Sequence, residues 1–469
     1  MDSHNESDLN LPGRWRKLAL DTAVMTCSSI VMRCIGMAFQ VWLVGRIGAS
    51  GIGLYQLVAS VNMLCATFAI SGIRFTTTRL ISEEIGSQSW GSIGRAIRRC
   101  VFYALFFGLS AFAVLYLCAE PIGFLWVGDA RTVMSLHIIA FRMPFISVAS
   151  VLNGYLIASG RAWKSAAVQF AEQVISIALV MLLLSRAPAG DIEQACAAVS
   201  LGGTLADVAS LLLVAGVYLH DRIRHRQSGG CSLRLTSRMF RIAVPLALSA
   251  YARTSLTTLE NLLVPRKLRS SGLSANEALA GYGTITGMVF PIIAFPTCLL
   301  AALSELVIPD LTEAQVSGNR DYIDRTVSAL LRTALGFSLL TAGFIFSTAA
   351  PLGDLIYNDG SIGPYIRIFA LLAPIMYMDI VTDGCLKGLG QMMHSMCYNI
   401  AEAAIGVLLV IALLPRWALK GYIFVLFFCE IFNFTLSMRR LRRVASFSLL
   451  PRRKREHAPD AEASAHKQP

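Results

Sequence analysis

The sequence contains an internal repeat, and this repeat limits the possible folds more than any other feature. When residues 351–416 are aligned with residues 121–186 at a fixed offset of 230, about 20 of the 66 positions are identical without a gap. Several identities fall on helix-shaping or charged residues, which an apolar composition does not predict. They include Pro144 with Pro374, Gly154 with Gly384, and Glu172 with Glu402. The chain therefore consists of two homologous halves.

The start of each half is also matched, but at a different offset. Arg33 aligns with Arg253, and Arg46 aligns with Arg266, at an offset of 220. The second half must therefore carry about ten extra residues between its first two apolar segments, as the difference between the two offsets requires.

The composition indicates a membrane protein that crosses the bilayer several times. Of the 469 residues, 55% are hydrophobic and only 15% are charged, and the mean hydropathy is +0.60. A soluble chain carries about 25% charged residues. The 11 cysteines are scattered through apolar runs without metal-site spacing, which favours packing roles and predicts no metal site.

Twelve apolar segments are long enough to span a bilayer as helices. They cover approximately residues 18–44, 53–73, 99–118, 133–158, 164–185, 195–219, 239–264, 279–307, 329–349, 364–386, 393–414 and 419–438. We predict an all-α polytopic membrane protein with about twelve transmembrane helices in two six-helix lobes. The predicted divisions are a cytosolic segment 1–17, lobes 18–219 and 239–440, a linker 220–238 and a basic cytosolic tail 441–469.

The net charge of +12 is distributed as a membrane topology requires, and it predicts no nucleic-acid partner. About 27 Lys and Arg lie in the loops and tails assigned to the inside, against about 8 outside. This predicts that both termini are cytosolic. The exception is the outside loop 266–278, which contains Arg266, Lys267 and Arg269. We expect this loop to form an amphipathic helix on the outer surface.

Arg33 and Arg253 lie near the middle of the first and seventh segments. A mid-membrane arginine costs at least about 2.5–3.5 kcal/mol, so each needs water, a counter-charge or an anion. Glu260 lies seven residues after Arg253 on the same helical face, so a structural ion pair is one interpretation. The favoured hypothesis is a basic cavity for an anionic head group, with Arg33, Arg253, Arg74 and Glu260 as substrate-binding candidates.

Carboxylates within the segments are the second set of candidates. Glu172 is expected to pair with Arg142, whereas Glu402 lacks such a partner because Leu372 replaces the arginine. Asp379 and Asp383 lie four residues apart on one helical face. We take Asp379, Asp383, Glu402 and Glu172 as ion-coupling candidates for Na⁺ or H⁺. The alternatives are helix-end capping or an ion pair with Lys387.

No catalytic motif, phosphate loop or histidine cluster is present in the sequence. The sequence therefore predicts neither an enzyme nor a bound cofactor.

Three stretches carry a family resemblance. They are Arg33–Gly36 with Arg46–Gln56, then Gly281–Pro296, then Thr382–Gly390. The chain resembles stage V sporulation protein B-like members of the multidrug/oligosaccharidyl-lipid/polysaccharide exporter superfamily, which includes lipid II flippases.

The resemblance implies two lobes around a central V-shaped cavity in a bacterial cell membrane, with spans one, two, seven and eight lining the cavity. It implies export of an undecaprenyl-pyrophosphate-linked glycan, and a cation-coupled drug exporter of the same superfamily is the alternative. Arg33 stands at the arginine of the flippases' Arg-x-x-Gly motif. Phe39 stands where they often have a second arginine, and the twelve predicted spans compare with fourteen in many relatives.

Overall fold

The computed structural model describes residues 11–86, 90–186, 188, 191–224 and 235–446, and within them all regular secondary structure is helical. The α-helices of the first half are α1 (Leu11–Ile70), α2 (Ile73–Gly86), α3 (Trp90–Leu117), α4 (Ala119–Pro121), α5 (Val133–Ala158), α6 (Ala162–Leu184) and α7 (Ile192–Arg224). Those of the second half are α8 (Leu235–Ser270), α9 (Ala275–Gly283), α10 (Phe290–Ala294), α11 (Thr297–Val316), α12 (Arg320–Ser347), α13 (Ala349–Tyr357), α14 (Gly363–Gly388) and α15 (Met392–Val444).

Twelve crossings can be traced through the described helices. In the part of the chain that the structure describes, nine helical stretches are long and apolar enough to cross a membrane. Two of them contain a break, at Gly48 in α1 (φ 70°) and at Ala418 in α15 (φ 47°), so each supplies two crossings. Without a break, the 60 residues of α1 would extend about 90 Å, about three times the ~30 Å hydrocarbon core. The more charged α8, with 36 residues, supplies the twelfth.

The crossings form two lobes. In the first half α3 packs on α5, α6 packs on α7, and α5 packs on α7; in the second half α8 packs on α15, and α12 and α11 pack on α14. We call the parts of α1 before and after Gly48 the first and second spans. The principal contacts between the lobes join α1 to α8 and α9.

The repeat seen in the sequence reappears as matched hydrogen bonds. Ser165 Oγ donates to Asn153 Oδ1 at 2.7 Å in the first lobe. At the positions 230 residues later, Ser395 Oγ donates to Asp383 Oδ1. The two lobes therefore share local geometry as well as sequence.

Glycines allow the two lobes to meet closely near Gly48, where the beginning of the second span lies against α9. A Cβ on Gly53 would collide with the carbonyl oxygen of Leu279, and a Cβ on Gly283 would collide with that of Ala49. Because Leu279 and Gly283 lie 230 residues after Ala49 and Gly53, the contact is reciprocal between repeats. Small residues spaced four apart allow membrane helices to approach closely.

The prediction of a surface helix in the loop 266–278 is wrong. Helix α8 continues through Arg266 and Arg269 to Ser270, and only residues 271–274 separate it from α9. The additional residues of the second half therefore extend α8, form the connection 271–274 and begin α9. Helices also enter the predicted linker from both sides, because α7 ends at Arg224 and α8 begins at Leu235. Most of the predicted basic tail lies outside the described residues.

Candidate transport site within and between the lobes

Arg33 lies on the side of the first span that reaches the other lobe. Its side chain is exposed. Gln40 lies seven residues later, on the same helical face, and its Nε2 donates to the carbonyl oxygen of Gly287 at 3.2 Å. Arg33 therefore faces the junction between the lobes, about 10 Å along the helix axis from this contact.

Arg253 is also exposed, but it points in a different direction. On the same helix the Tyr251 hydroxyl donates to Ser71 Oγ at 2.7 Å, and the Thr258 hydroxyl donates to the carbonyl oxygen of Ser60 at 3.1 Å. These bonds fix the face of α8 that meets the second span. Arg253 is about 200° around the helix from Tyr251, so it faces away from the second span.

Glu260 does not pair with Arg253 among the described residues, so that interpretation of the sequence is wrong. The Glu260 carboxylate instead packs against Gly406 of α15, where an added Cβ would lie 2.8 Å from either oxygen. Lying on the same helical face does not bring Arg253 and Glu260 into contact, because they are two turns apart and α15 packs over Glu260. Arg253 is within electrostatic range of Asp379 and Glu402 instead.

Asp379 is part of a buried polar network with asparagines. Asn433 Nδ2 donates to Asp379 Oδ2 at 3.4 Å and to Asn399 Oδ1 at 3.2 Å. Asp379 Oδ1 and Asn433 Oδ1 are buried without a hydrogen-bond partner among the described residues, and Asn433 is only 6% exposed. Two unsatisfied acceptor oxygens in one network provide a place where a proton or a cation would be stabilised.

Asp383 has a different environment from Asp379. It forms an ion pair with Lys387 at 2.6 Å and accepts the hydrogen bond from Ser395. For Asp383 the structure therefore shows the alternative interpretation, an ion pair with Lys387. Asp379 and Asp383 do not act as one pair of free carboxylates.

Glu430 is a membrane-embedded acid that the sequence reasoning missed. It lies in α15 after the break, within electrostatic range of both Asp379 and Glu402. The rule that selected Glu402, an acid inside an apolar segment, would also have selected Glu430. We call Glu260, Asp379, Glu402 and Glu430 the C-lobe acidic cluster. Among the described residues no three or more His, Cys, Asp or Glu side chains are grouped as a metal site.

In the first lobe, Arg142 pairs with Asp207 at 2.5 Å and not with Glu172, so the predicted pairing is wrong. Glu172 accepts a hydrogen bond from Ser210 at 2.6 Å instead. Both unexpected partners, Asp207 and Ser210, lie on α7, a helix that the predicted pairing did not consider. Asp207 is only 5% exposed, so its charge depends on the arginine.

A cavity of about 330 Å³ lies beside this ion pair. It is partly open, and we call it the N-lobe cavity. Its lining comes from the first span, α5, α6 and α7: Met32, Gly36, Phe39, Arg142, Gln169, Glu172, Gln173, Ser176, Ile177, Gly203, Ala206 and Asp207. Arg74, at the start of α2, is within electrostatic range of Glu172 but does not line this cavity.

Ion pairs also join the lobes near both ends of α8. Near its start, Arg238 bonds to Glu83 and Glu84 of α2, with 2.8 Å to Glu84. Near its end, Arg269 donates to the carbonyl oxygen of Gly128 at 2.9 Å and lies 4.0 Å from Asp129. Burial alone would raise the pKa of Asp129, but hydrogen bonds from Arg131 and the charge of Arg269 lower it below the usual value. The carboxylate therefore stays ionised.

Two homologous lobes, charged side chains within the spans and an interface closed by helix packing at one end together define a membrane transporter. The family described as polysaccharide biosynthesis protein matches residues 18–315. The chain belongs to this family, within the multidrug/oligosaccharidyl-lipid/polysaccharide exporter superfamily.

Among curated relatives, stage V sporulation protein B of Bacillus subtilis (strain 168) is 22% identical over 410 residues, which cover 85% of this chain and 79% of the relative. Among solved structures, lipid II flippase MurJ in an inward closed conformation has a TM-score of 0.69 at 11% identity, covering 91% of this chain and 88% of MurJ. An inward-facing MATE family multidrug transporter has a TM-score of 0.66 at 15% identity, with 90% and 98% coverage. These structural likenesses show the twelve-helix fold.

Proposed function

We propose that this protein is a flippase that moves an undecaprenyl-pyrophosphate-linked glycan, a lipid II-like or polysaccharide precursor, from the inner to the outer leaflet by alternating access. The observation that carries the proposal is the position of Arg33, which is exposed at mid-membrane depth on the face that meets the other lobe. An arginine there suits an anionic head group, because its planar fork pairs with pyrophosphate oxygens. The family match and the MurJ fold support the same substrate class.

The packing of the outer ends supports a direction of loading. The second span and α9 are in contact through Gly53 and Gly283, and Arg269 holds α8 to the first lobe's outer loop. With the outer ends together, a head group reaches Arg33 from the inner side. Moving an anion outward in an inside-negative cell gains about 2.3 kcal/mol per charge per 100 mV.

The test is a leaflet-accessibility assay with labelled undecaprenyl-pyrophosphate glycan in vesicles containing the purified protein. We expect transport by the native protein, partial transport by Arg33→Lys, which keeps the charge but loses the fork, and none by Arg33→Ala. Arg46→Ala is the matched control, because Arg46 lies further along the same helix and stacks on Trp42 at 5.7 Å. Full transport by Arg33→Ala would contradict the proposed anion site.

We propose that the C-lobe acidic cluster couples transport to a Na⁺ or H⁺ gradient. Support comes from the unsatisfied oxygens of Asp379 and Asn433 beside further carboxylates. Arg253 and Lys387 are both within electrostatic range of Asp379, and we propose that Arg253 contacts the head group when the acids are neutralised. Arg253→Ala should then reduce transport most when an imposed Na⁺ or pH gradient neutralises the acids, measured in the same vesicles with and without the gradient.

The second candidate is a cation-coupled multidrug exporter of the same superfamily. The acidic cluster favours it, because its four carboxylates outnumber Arg253 and Lys387, the two cations within electrostatic range of Asp379, and an acidic surface suits cationic drugs. Transport of a cationic dye without any movement of the lipid-linked glycan would establish this alternative.

We also propose that both termini lie in the cytosol of a bacterial cell, as the excess of Lys and Arg in alternate loops supports. A single cysteine placed at Ser271, between α8 and α9, should then react with a membrane-impermeant reagent added to intact cells. A cysteine at Gly318, between α11 and α12, should react only after the cells are opened. The reverse pattern would invert the topology.

A further inference from the structure

The N-lobe cavity is built by two facing helical stripes. On the first span Met32, Gly36 and Phe39 follow the spacing i, i+4, i+7, and on α6 the lining residues 169, 172, 173, 176 and 177 follow the spacing of a single helical face. Gln173 Nε2 donates to the carbonyl oxygen of Met32 at 2.8 Å and ties the two helices together. The cavity is therefore a fixed feature of the packing between these helices.

The charges around the N-lobe cavity are balanced. Arg142 is paired with Asp207, and Glu172 accepts a hydrogen bond from Ser210 and is within electrostatic range of Arg74. A pyrophosphate would meet two carboxylates here, and a free cation would meet an arginine that already neutralises its neighbour. The occupant that fits best is polar but uncharged.

The hydrogen-bonding groups of the cavity suit hydroxyl and amide groups. Among the described residues, the Gln169 amide is engaged only through Nε2, which donates to Ser165 Oγ at 3.3 Å, and the Gln173 amide only through Nε2. Their carbonyl oxygens and the Ser176 hydroxyl can accept or donate bonds to a ligand. Phe39 adds an apolar surface. A few placed polar groups on an apolar wall are typical of small-molecule sites.

The size and the position of the cavity fit one sugar unit. About 330 Å³ corresponds to roughly ten waters at ~30 Å³ each, which is the space of a single sugar ring with its substituents. Gly36 lies three residues after Arg33, or about 4.5 Å along the helix axis. A sugar bonded directly to a pyrophosphate at Arg33 would therefore reach the cavity.

We infer that the N-lobe cavity binds the first sugar of the glycan, the one attached to the pyrophosphate, and so selects glycosylated over bare lipid carriers. This inference rests on the proposed function, since it assigns a separate subsite to the same substrate. Arg33 holds the anion, and Gln169, Gln173 and Ser176 recognise the sugar hydroxyl or acetamido groups.

The test measures the affinity of the purified full-length protein in detergent for two probes. One is a short-chain polyprenyl pyrophosphate, and the other is the same lipid carrying a single N-acetylglucosamine. We expect the native protein to bind the sugar-bearing lipid about tenfold more tightly, which corresponds to about 1.4 kcal/mol. Ser176→Leu, which fills the cavity, should abolish this preference and leave the affinity for the bare lipid unchanged.

Two further variants keep the test decisive. Gln169→Met retains the size of the side chain but removes the amide, and should reduce the preference without disturbing the fold. Val174→Leu is the matched control, because Val174 is 44% exposed on another face of α6 and lies outside the cavity. It should keep the full preference.

The outcomes separate this inference from the proposed function. Equal affinity of the native protein for both lipids, or a full sugar preference in Ser176→Leu, would overturn the sugar subsite while leaving the flippase proposal standing. Failure of the native protein to bind either lipid would overturn the flippase proposal and the subsite with it. Arg33→Ala should lose affinity for both lipids by the same factor.

Discussion

The two lobes are built on one repeat, but the buried charges of the first lobe are balanced whereas those of the second lobe are mainly acidic. In the first lobe Arg142 neutralises Asp207, whereas Leu372 occupies the position matched to Arg142 in the second lobe. In turn, Asp379 and Glu260 of the second lobe match Ala149 and Gln40 of the first. Since backbone geometry is shared, these few substitutions decide what each lobe can bind.

The difference in buried charge shows how two homologous lobes can bind different ligands. The first lobe retains a cavity whose charges are compensated from within, so its occupant can be neutral. The second lobe fills the corresponding region with carboxylates and leaves oxygens of Asp379 and Asn433 unsatisfied, so it gains from a cation or a proton. The two lobes share their main-chain fold but differ in their charged side chains. Under the proposed function, the first lobe binds the substrate and the second couples transport to an ion gradient.

The largest effect is expected when the first lobe is made to resemble the second at Arg142. Arg142→Leu would leave Asp207 as a buried carboxylate without a counter-charge, and removing one partner of a buried ion pair costs about 3–5 kcal/mol. We expect a lower midpoint of thermal unfolding, measured by size-exclusion chromatography after heating. The double variant Arg142→Leu, Asp207→Asn should recover most of the loss. Native-like stability of the single variant would show that the pair is not needed.

The glycine contact between the lobes tests where the repeats remain equivalent. Gly53→Ala and Gly283→Ala each place a methyl group against a backbone carbonyl of the other lobe, so each should weaken the closed outer end by about 1–3 kcal/mol. The two variants should have similar effects because the contacts are reciprocal. The measurement is the rate at which single cysteines, placed between the lobes on the side of the Gly53 and Gly283 contact, react with a water-soluble thiol reagent. This rate should rise in both variants. Gly216→Ala, with no atom within 4 Å of the added Cβ, is the control.

Asp379 tests whether the second lobe is the coupling lobe. Asp379→Asn removes the charge but keeps the hydrogen bond with Asn433 possible, and we expect transport to lose an ion-gradient dependence worth about 1–3 kcal/mol. The rates in vesicles with and without a Na⁺ or pH gradient would measure this. An unchanged ratio of the two rates would show that Asp379 has only a structural role.

The smallest effect is expected at Asp383, although it lies only one turn from Asp379. Asn153 accepts the same hydrogen bond from a matched serine in the first lobe. Asp383→Asn would therefore give the second lobe the Ser–Asn hydrogen bond that the first lobe already has. The ion pair between Asp383 and the exposed Lys387 side chain contributes at most about 1 kcal/mol to stability. We expect near-native stability and gradient dependence. A loss as large as that of Asp379→Asn would mean that both aspartates bind the ion.

Much of the fold follows from the sequence because membrane helices have strong local signals. Apolar length predicts each crossing, and the repeat predicts two lobes of six. The prediction was wrong at the loop after α8, since a basic, partly apolar stretch is compatible with a surface helix and also with the lengthened end of a span. Only the continuation of α8 to Ser270 decided between them.

The candidate site was predicted less completely. A charge inside an apolar segment identified Arg33, Arg253, Glu172, Glu260, Glu402 and the aspartates, because burying a charge is costly wherever the helix packs. Their partners depended on helices distant in the sequence. Arg142 was expected to meet Glu172 but meets Asp207. One interpretation paired Glu260 with Arg253, but the Glu260 carboxylate packs against Gly406.

The sequence by itself thus determined the number of crossings, the duplication and the list of charges that need a partner in the membrane. These properties depend on local composition and on spacing along a single helix. The tertiary structure decided which charges neutralise each other, which oxygens stay unsatisfied and where a cavity remains. The physical reason is that partner choice in the membrane depends on the rotation and depth of neighbouring helices, and packing across several helices sets both.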